Sequence, residues 1–285
     1  MRRFLKKYWF ELLLIAPMTL YLLGFTILPI FQSILMSFQD DTGKFAALHQ
    51  YQVLFAKPQF MKSIGNTFFV TLVSLCYQLA LALLIALALK KAFHGRGIVR
   101  AIVLMPMGIP TMVSGVMALY IFGTSGYFNE ILYRLHLIST PIPWTTGGMR
   151  SLWVIIFADT WKVLPTLVLL LLAGLDAIPD TIYEAAKIDG ASATRTFFSI
   201  TLPLLKPSVT MSVLFRAVDA FRIFELPQIL VGTAVPFVAT YSYEEYAAGN
   251  LQLSAASSTI LLVMILLFTL VYMKVIDRGE GFNHA

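Results

Sequence analysis

The sequence has one cysteine, Cys76, in 285 residues. This excludes an intramolecular disulfide and a cysteine-built zinc site, and the apolar surroundings predict a small buried hydrophobe. Histidine is nearly as scarce. His49, His94, His136 and His284 stand singly, without metal-ligand spacing. No Gly-x-x-x-x-Gly-Lys-Ser/Thr stretch occurs, so an ATP-binding loop of that type is lacking. No nucleophile is spaced with a base, which gives an enzyme little to work with. Charge is short as well: 13% of residues are charged, too few to cover a soluble domain of this length. The net charge of +6 is dispersed between apolar segments and forms no basic patch, which argues against a nucleic-acid partner.

What is abundant is apolar sequence: 58% of residues are hydrophobic and 22 are Phe. A spanning helix needs about 20 apolar residues. Six segments qualify, at 12–37, 65–89, 98–122, 151–175, 207–231 and 256–276. Barrel strands would be short and alternating, so these are helices. The fold class expected is all-α, a polytopic bundle of six membrane helices forming one domain over 1–285. Arg2, Arg3, Lys6 and Lys7 precede the first run as in a secretion signal. That run is too long and lacks a small-residue cleavage site, so it reads as a retained helix.

Lys and Arg set the orientation. Thirteen of the 21 fall on one side, including those four, Lys90, Lys91, Arg96, Arg100, Lys187, Arg195, Lys206, Lys274 and Arg278. Only Lys44, Lys57, Lys62, Arg134 and Arg150 fall on the other, and Lys162, Arg216 and Arg222 lie within helices. The bias puts both termini in the cytoplasm. Tyr8, Trp9, Phe10, Trp144 and Trp153 suit the two membrane interfaces. The outward loops are then 39–64, 123–150 and 232–255, and the inward ones 90–97 and 176–206.

The inward loop 176–206 is long and polar. Asp180 is placed to cap a short helix through Ile188, and Gly190 to end it at a positive backbone angle. Ser192 caps a second short helix, which Pro203 stops or bends before Pro207 starts the next span. Ala185 and Ala186 make a small-residue surface, and Phe197 and Phe198, four residues before Thr201 and Leu202, are placed to anchor the loop under the bundle.

The stretch Glu184-Ala185-Ala186-Lys187-Ile188-Asp189-Gly190-Ala191, continuing through Phe197, Ile200, Leu202 and Pro203, resembles the EAA loop of permease subunits in binding-protein-dependent ABC importers. Trp161-Lys162, Pro165, Ala173-Gly174-Leu175, Ile178-Pro179 and Asp219 through Phe224 resemble the carbohydrate-uptake branch. The resemblance implies a type I importer fold whose 176–206 loop forms coupling helices. Glu184, Ala185, Ala186, Asp189 and Gly190 would then meet a cytoplasmic ATPase subunit, with Phe197, Phe198, Leu202 and Pro203 packing the loop. It further implies a homologous second permease, two ATPase subunits carrying ATP and magnesium, an extracytoplasmic solute-binding protein, and the inner membrane of a bacterium or archaeon. No cofactor would be bound by this chain. Two departures are visible: Val231-Gly-Thr-Ala-Val-Pro236 replaces the usual Thr-Gly-Gly-Pro, and the first outer loop is too short for a large insertion.

Charges within spans are costly unless paired or wet. Asp159 and Lys162 lie in the fourth span, and Arg216, Asp219, Arg222 and Glu225 follow one another every three residues in the fifth. On a continuous helix those four wind about 180° around the axis. They form either an ion-pair ladder or part of a solute route. Met105-Pro106-Met107-Gly108-Ile109-Pro110 is expected to kink the third span, and Gly115 and Gly123 to serve packing or turns. An ATP-driven importer of a sugar or sugar-like solute, such as a disaccharide, a polyol or a glycerol phosphate, is the function implied. The alternatives are a permease for another solute class, an ion-coupled transporter using Asp159, Asp219 and Glu225, or a scaffold.

Overall fold

A computed structural model describes residues 2–276, all of whose regular elements are helical. Arg278, His284 and the C-terminal end lie outside the described residues. The chain opens with α1 (Arg2–Leu22), which passes through a π turn (Leu23–Ile27) into α2 (Leu28–Met36). Then come α3 (His49–Ala56), α4 (Pro58–Lys90) and α5 (Arg96–Leu104). A 3-10 turn (Met105–Gly108) leads to α6 (Thr111–Phe122), α7 (Tyr127–Arg134) and α8 (Gly148–Asp176). The loop after α8 holds α9 (Asp180–Ile188) and α10 (Ala193–Thr196), the latter running through a second π turn (Phe197–Thr201) into α11 (Leu202–Phe221). The chain continues as α12 (Glu225–Leu230), α13 (Val238–Ala247) and α14 (Leu251–Ile276).

Among the described residues, five helices are long and apolar enough to cross a membrane: Lys7–Met36, Pro58–Lys90, Gly148–Asp176, Ala193–Phe221 and Leu251–Val275. A broken pair, Arg96–Gly108 and Thr111–Arg134, bent by 100°, makes a sixth if counted as one span. Ile109, just before Pro110, is extended at φ −91, ψ 129, because the proline ring drives its predecessor out of the helical region. The expected kink is therefore a full break.

The fifth segment departs further from expectation. Its helix ends at Phe221 instead of running to Val231; Arg222 sits at φ −90, ψ 11 and Phe224 at φ −134, ψ −64. Pro227 accounts for this, since within a continuous helix its ring would strike the carbonyl of Ile223. Restarting at Glu225 puts Pro227 in the first turn, where it is tolerated.

Pro203, expected to stop or bend the helix, does neither. A π turn ends two residues before it, at Thr201, with the Leu202 N–H donating to the Phe197 carbonyl. The same arrangement precedes Pro29, where the Leu28 N–H donates to Leu23. In each case widening the turn makes room for the ring and keeps the axis continuous.

The described residues form two compact units, one of 2–58 with 241–263, the other of 59–240 with 264–276. In the first, the Ser37 and Tyr51 hydroxyls lie 2.7 Å apart. Glu245 accepts from Lys57 Nζ, Tyr241 Oη and Asn250 Nδ2, each at 2.7 Å. Ser242 hydrogen-bonds Ser254 and Ser258 at the start of α14.

The second unit is organised around α8, the most buried of the spanning helices. One apolar cluster joins Val70, Ile155, Leu226, Leu230 and Phe237, and another joins Ala82, Ala86, Leu167, Leu171, Leu175 and Leu205. Gly174 lets α8 and α11 approach closely: a Cβ there would sit 2.5 Å from Ser208 Cβ. Gly115 does the same more mildly, 3.1 Å from Ile229.

Cys76 differs from expectation: it is exposed on the surface of α4, not buried. Trp144 donates its Nε1–H to Asn129 Oδ1 at 3.0 Å and packs on the first apolar cluster. The unusual 231–236 turn is tucked in, with the Pro236 carbonyl accepting from Asn66 Nδ2 at 2.9 Å and the Val238 N–H donating to Thr67 Oγ1 at 3.0 Å.

Candidate functional site

The loop 176–206 is an elbow with a defined hinge. Asp180 is the first helical residue of α9 and Pro179 precedes it, so the expected Asp180 side-chain cap is not made. The far end follows the expected pattern. Gly190 has φ +71, its N–H donates to the Lys187 carbonyl at 3.1 Å, and the Ala191 N–H donates to Ala186 at 2.9 Å. These are the two bonds of a Schellman ending, which requires a left-handed residue. Ser192 Oγ accepts from the Arg195 N–H at 3.3 Å, capping α10.

Glu184, Ala185, Asp189 and Gly190 are exposed and Ala186 is buried. Ile188, with 87% of its surface exposed, is an unpartnered apolar side chain at the tip. The base of the elbow is fixed. Lys90 Nζ donates to the Leu175 carbonyl at 2.9 Å and lies 4.2 Å from the centre of the Tyr183 ring. Tyr183 Oη in turn meets Thr201 Oγ1 at 3.4 Å. Phe197 and Phe198 pack edge to face at 4.9 Å, yet Phe198 remains 61% exposed; Leu202 is half-buried and Pro203 exposed.

The intramembrane charges separate into two groups. Arg216, fully buried, donates to Asp159 through Nη2, to Asp219 through Nη1 at 3.1 Å, and to Gln78 Oε1 through Nε at 2.5 Å. Gln78 Nε2 donates to Asp159 Oδ2 at 2.8 Å and to Thr160 Oγ1 at 3.0 Å. This layer joins α4, α8 and α11 between the two apolar clusters. All three guanidinium nitrogens of Arg216 and both ends of the Gln78 amide are hydrogen-bonded, which offsets part of the cost of burying the pair.

The second group opens on a cavity of about 380 Å³ walled by Met107, Thr111, Lys162, Asp219, Arg222 and Glu225, with Asp159 at its base. Lys162 Nζ points to the Met107 carbonyl, 3.5 Å away in the broken third span. Since α11 stops at Phe221, the four charges do not wind round one helix. Among the described residues Arg216 pairs with Asp219, but no ion pair joins Asp219 to Arg222 or Arg222 to Glu225. Asp159 pairs with Arg216 and not with Lys162. The sequence does not single out Gln78, Thr160 or Tyr183, and Lys90 enters there only through its contribution to the charge bias. The one available signal for Gln78 is an amide inside an apolar run.

Residues 78–279 match the family described as the binding-protein-dependent transport system inner membrane component. The chain is 36% identical over 273 residues to the trehalose/maltose transport system permease protein MalF of Thermococcus litoralis, covering 92% of each. It is 31% identical over 274 residues to the trehalose transport system permease protein SugA of Mycobacterium tuberculosis, covering 92% of this chain and 87% of that one. Its fold is similar to a solved bacterial ABC transporter involved in the import of the acidic polysaccharide alginate, with TM-score 0.86 over 98% of both chains at 22% identity. The match over residues 78–279 and the relatives that cover most of its length assign this chain to the family of binding-protein-dependent transport system inner membrane components.

Proposed function

We propose that this chain is a membrane-spanning subunit of an ATP-driven importer that moves a sugar or sugar-like solute into the cytoplasm by alternating access. The observation that carries the proposal is the elbow at 184–190, exposed at its tip and held at its base by Lys90, Tyr183 and Thr201. In this reading Glu184, Ala185, Asp189 and Gly190 meet an ATPase subunit, on which ATP and magnesium are bound, while Ala186, expected at the same contact, is buried and packs behind them. Exposed Ile188 supplies apolar contact at the tip. Phe197, Phe198, Leu202 and Pro203 carry displacement of the elbow into α11. The whole chain, 1–285, acts as one permease domain with both termini in the cytoplasm, beside a homologous second permease, and receives solute from an extracytoplasmic binding protein.

The cavity residues Lys162, Asp219, Arg222 and Glu225, with the Asp159–Arg216 pair beneath them, form the wall of the solute route. Two cationic and two anionic side chains offer donors and acceptors to hydroxyls without a large net charge. The sugar class is supported by relatives named for trehalose, maltose and arabinooligosaccharide transport. Nucleotide drives the cycle only by binding one permease state better than the other.

The test is transport by the complete complex in proteoliposomes with its binding protein, over a panel of sugars and polyols. Transport that requires ATP and is abolished by disulfide cross-linking of Ala185→Cys to the ATPase supports the proposal. Transport that persists without the ATPase and collapses with an ionophore would establish the ion-coupled alternative instead.

A further inference from the structure

Gln78 lies in the interior of α4, with none of its surface exposed, and it is absent from both the elbow and the cavity wall. Burying an amide among apolar helices is unfavourable unless its hydrogen bonds are made. Here both amide hydrogens are used, on Asp159 Oδ2 and Thr160 Oγ1, and the oxygen receives Arg216 Nε. The amide cannot be reversed. Turned over, its NH2 would face the guanidinium N–H and its oxygen the Asp159 carboxylate. Gln78 therefore reads the charge order of its neighbours and holds them in one arrangement.

The guanidinium is planar, so a bond to Nε fixes where both Nη atoms point. Arg216 Nη2 is held by Asp159, and Nη1 then reaches Asp219. The Arg216 side chain is 1% exposed, whereas that of Asp219 is 48% exposed and forms part of the cavity wall. A continuous set of contacts thus leads from a buried amide on α4 to a carboxylate in the cavity.

We propose that Gln78 is a positioning residue for the solute site. It sets the plane of the Arg216 guanidinium, and so the place of the Asp219 carboxylate, without itself touching solute. The inference rests on the reading that this cavity carries solute. Its test uses the complete importer and measures initial transport rate against solute concentration, alongside assembly and thermal stability of the complex.

Gln78→Met keeps the length of the side chain and removes its hydrogen bonds. It is expected to raise the apparent KM about tenfold, the effect of losing one well-placed charge-assisted bond at the site, with the maximal rate nearly unchanged. Asp219→Asn should raise KM as well. The double variant Q78M/D219N should be no worse than D219N alone, because both changes act through one carboxylate. Additive effects, or an unchanged KM in well-assembled Q78M beside a shifted KM in D219N, would overturn the role of Gln78 alone. An unchanged KM in D219N would overturn the cavity reading, and the positioning role with it. Should Q78M fail to assemble, Gln78→Asn decides, since it keeps the amide but shortens its reach to Arg216. A raised KM in assembled Q78N supports the inference; an unchanged KM there beside a shifted KM in D219N overturns it.

Discussion

Gly174→Ala tests whether contact between α8 and α11 sets the stability of the segment that carries the elbow. A Cβ added at this position would lie 2.5 Å from Ser208 Cβ and 2.8 Å from Leu205 Cδ1, against ordinary contacts of 3.4–4 Å. Leu205 can rotate its methyl away; Ser208 Cβ is fixed to its helix, so the two axes must separate. Ser208 Oγ is nearer still, but it can turn aside about its own side-chain bond whereas the Cβ cannot. Overpacking of this kind costs about 1–3 kcal/mol, towards the upper end here because a Cβ is among the close atoms. Replacing Gly by Ala returns about 1 kcal/mol of helix propensity, leaving a net loss of about 1–2 kcal/mol. The assay is thermal unfolding of the purified complex with solute-stimulated ATPase activity. G174A should lower both. Adding Ser208→Gly should restore them, while Ser208→Ala should restore little, since it keeps the offending Cβ. Wild-type stability in G174A, or equal rescue by the two second-site changes, would refute the close-contact explanation.

The remaining expectations concern separate parts of the molecule. Gly190→Ala meets open space but must hold φ +71, at a cost of about 1–2 kcal/mol; ATPase stimulation by solute should fall, and Gly190→Asn should recover much of it. Asn129, 4% exposed, donates to the Thr124 and Ile142 carbonyls and accepts from the Ile142 N–H and Trp144 Nε1. Asn129→Ala should strand those groups at about 1–3 kcal/mol each, seen as faster tryptic cleavage at Arg134. At α13, burial raises Glu245, but the hydrogen bonds from Lys57, Tyr241 and Asn250 outweigh it and hold the carboxyl below its ordinary 4.5. A depressed folded-state pKa means stability is present above 4.5 and lost as pH falls through the lowered value. Burial first, and Glu245 second, push neighbouring Glu244 above 4.5, so its opposite contribution is relieved at a higher pH. Hydrogen exchange across 238–250 should therefore slow slightly on mild acidification and accelerate below pH 4.5, and Glu245→Gln should remove the acid limb.

Much of this architecture is legible from runs of apolar residues, because every spanning helix must satisfy its own backbone in lipid. The hinge of the elbow is legible too, since Gly190 and Ser192 act through bonds within a few residues of themselves. Breaks were harder to read. Pro110 and Pro227 each end a helix upstream, while Pro29 and Pro203 are absorbed by π turns, and residue type alone does not separate these outcomes. The 216–225 stripe depended on a continuous helix and dissolved with it. Cys76 was misjudged because apolar neighbours imply burial in water but suit an outward face in lipid equally well. Gln78 is silent in sequence because its partners lie 81 and 138 residues away.

The widened turn at 197–201 takes one additional residue into the helix without interrupting its axis. One residue corresponds to about 100° of azimuth, so the faces before and after the turn are out of step by nearly a third of a revolution relative to a uniform α-helix. Tightening that turn to ordinary spacing would rotate everything beyond it, Arg216 included, while the elbow stayed still. A shove arriving at the inner face thus has a screw available to it as well as a lever, and twisting a helix in place displaces far less lipid than tilting it.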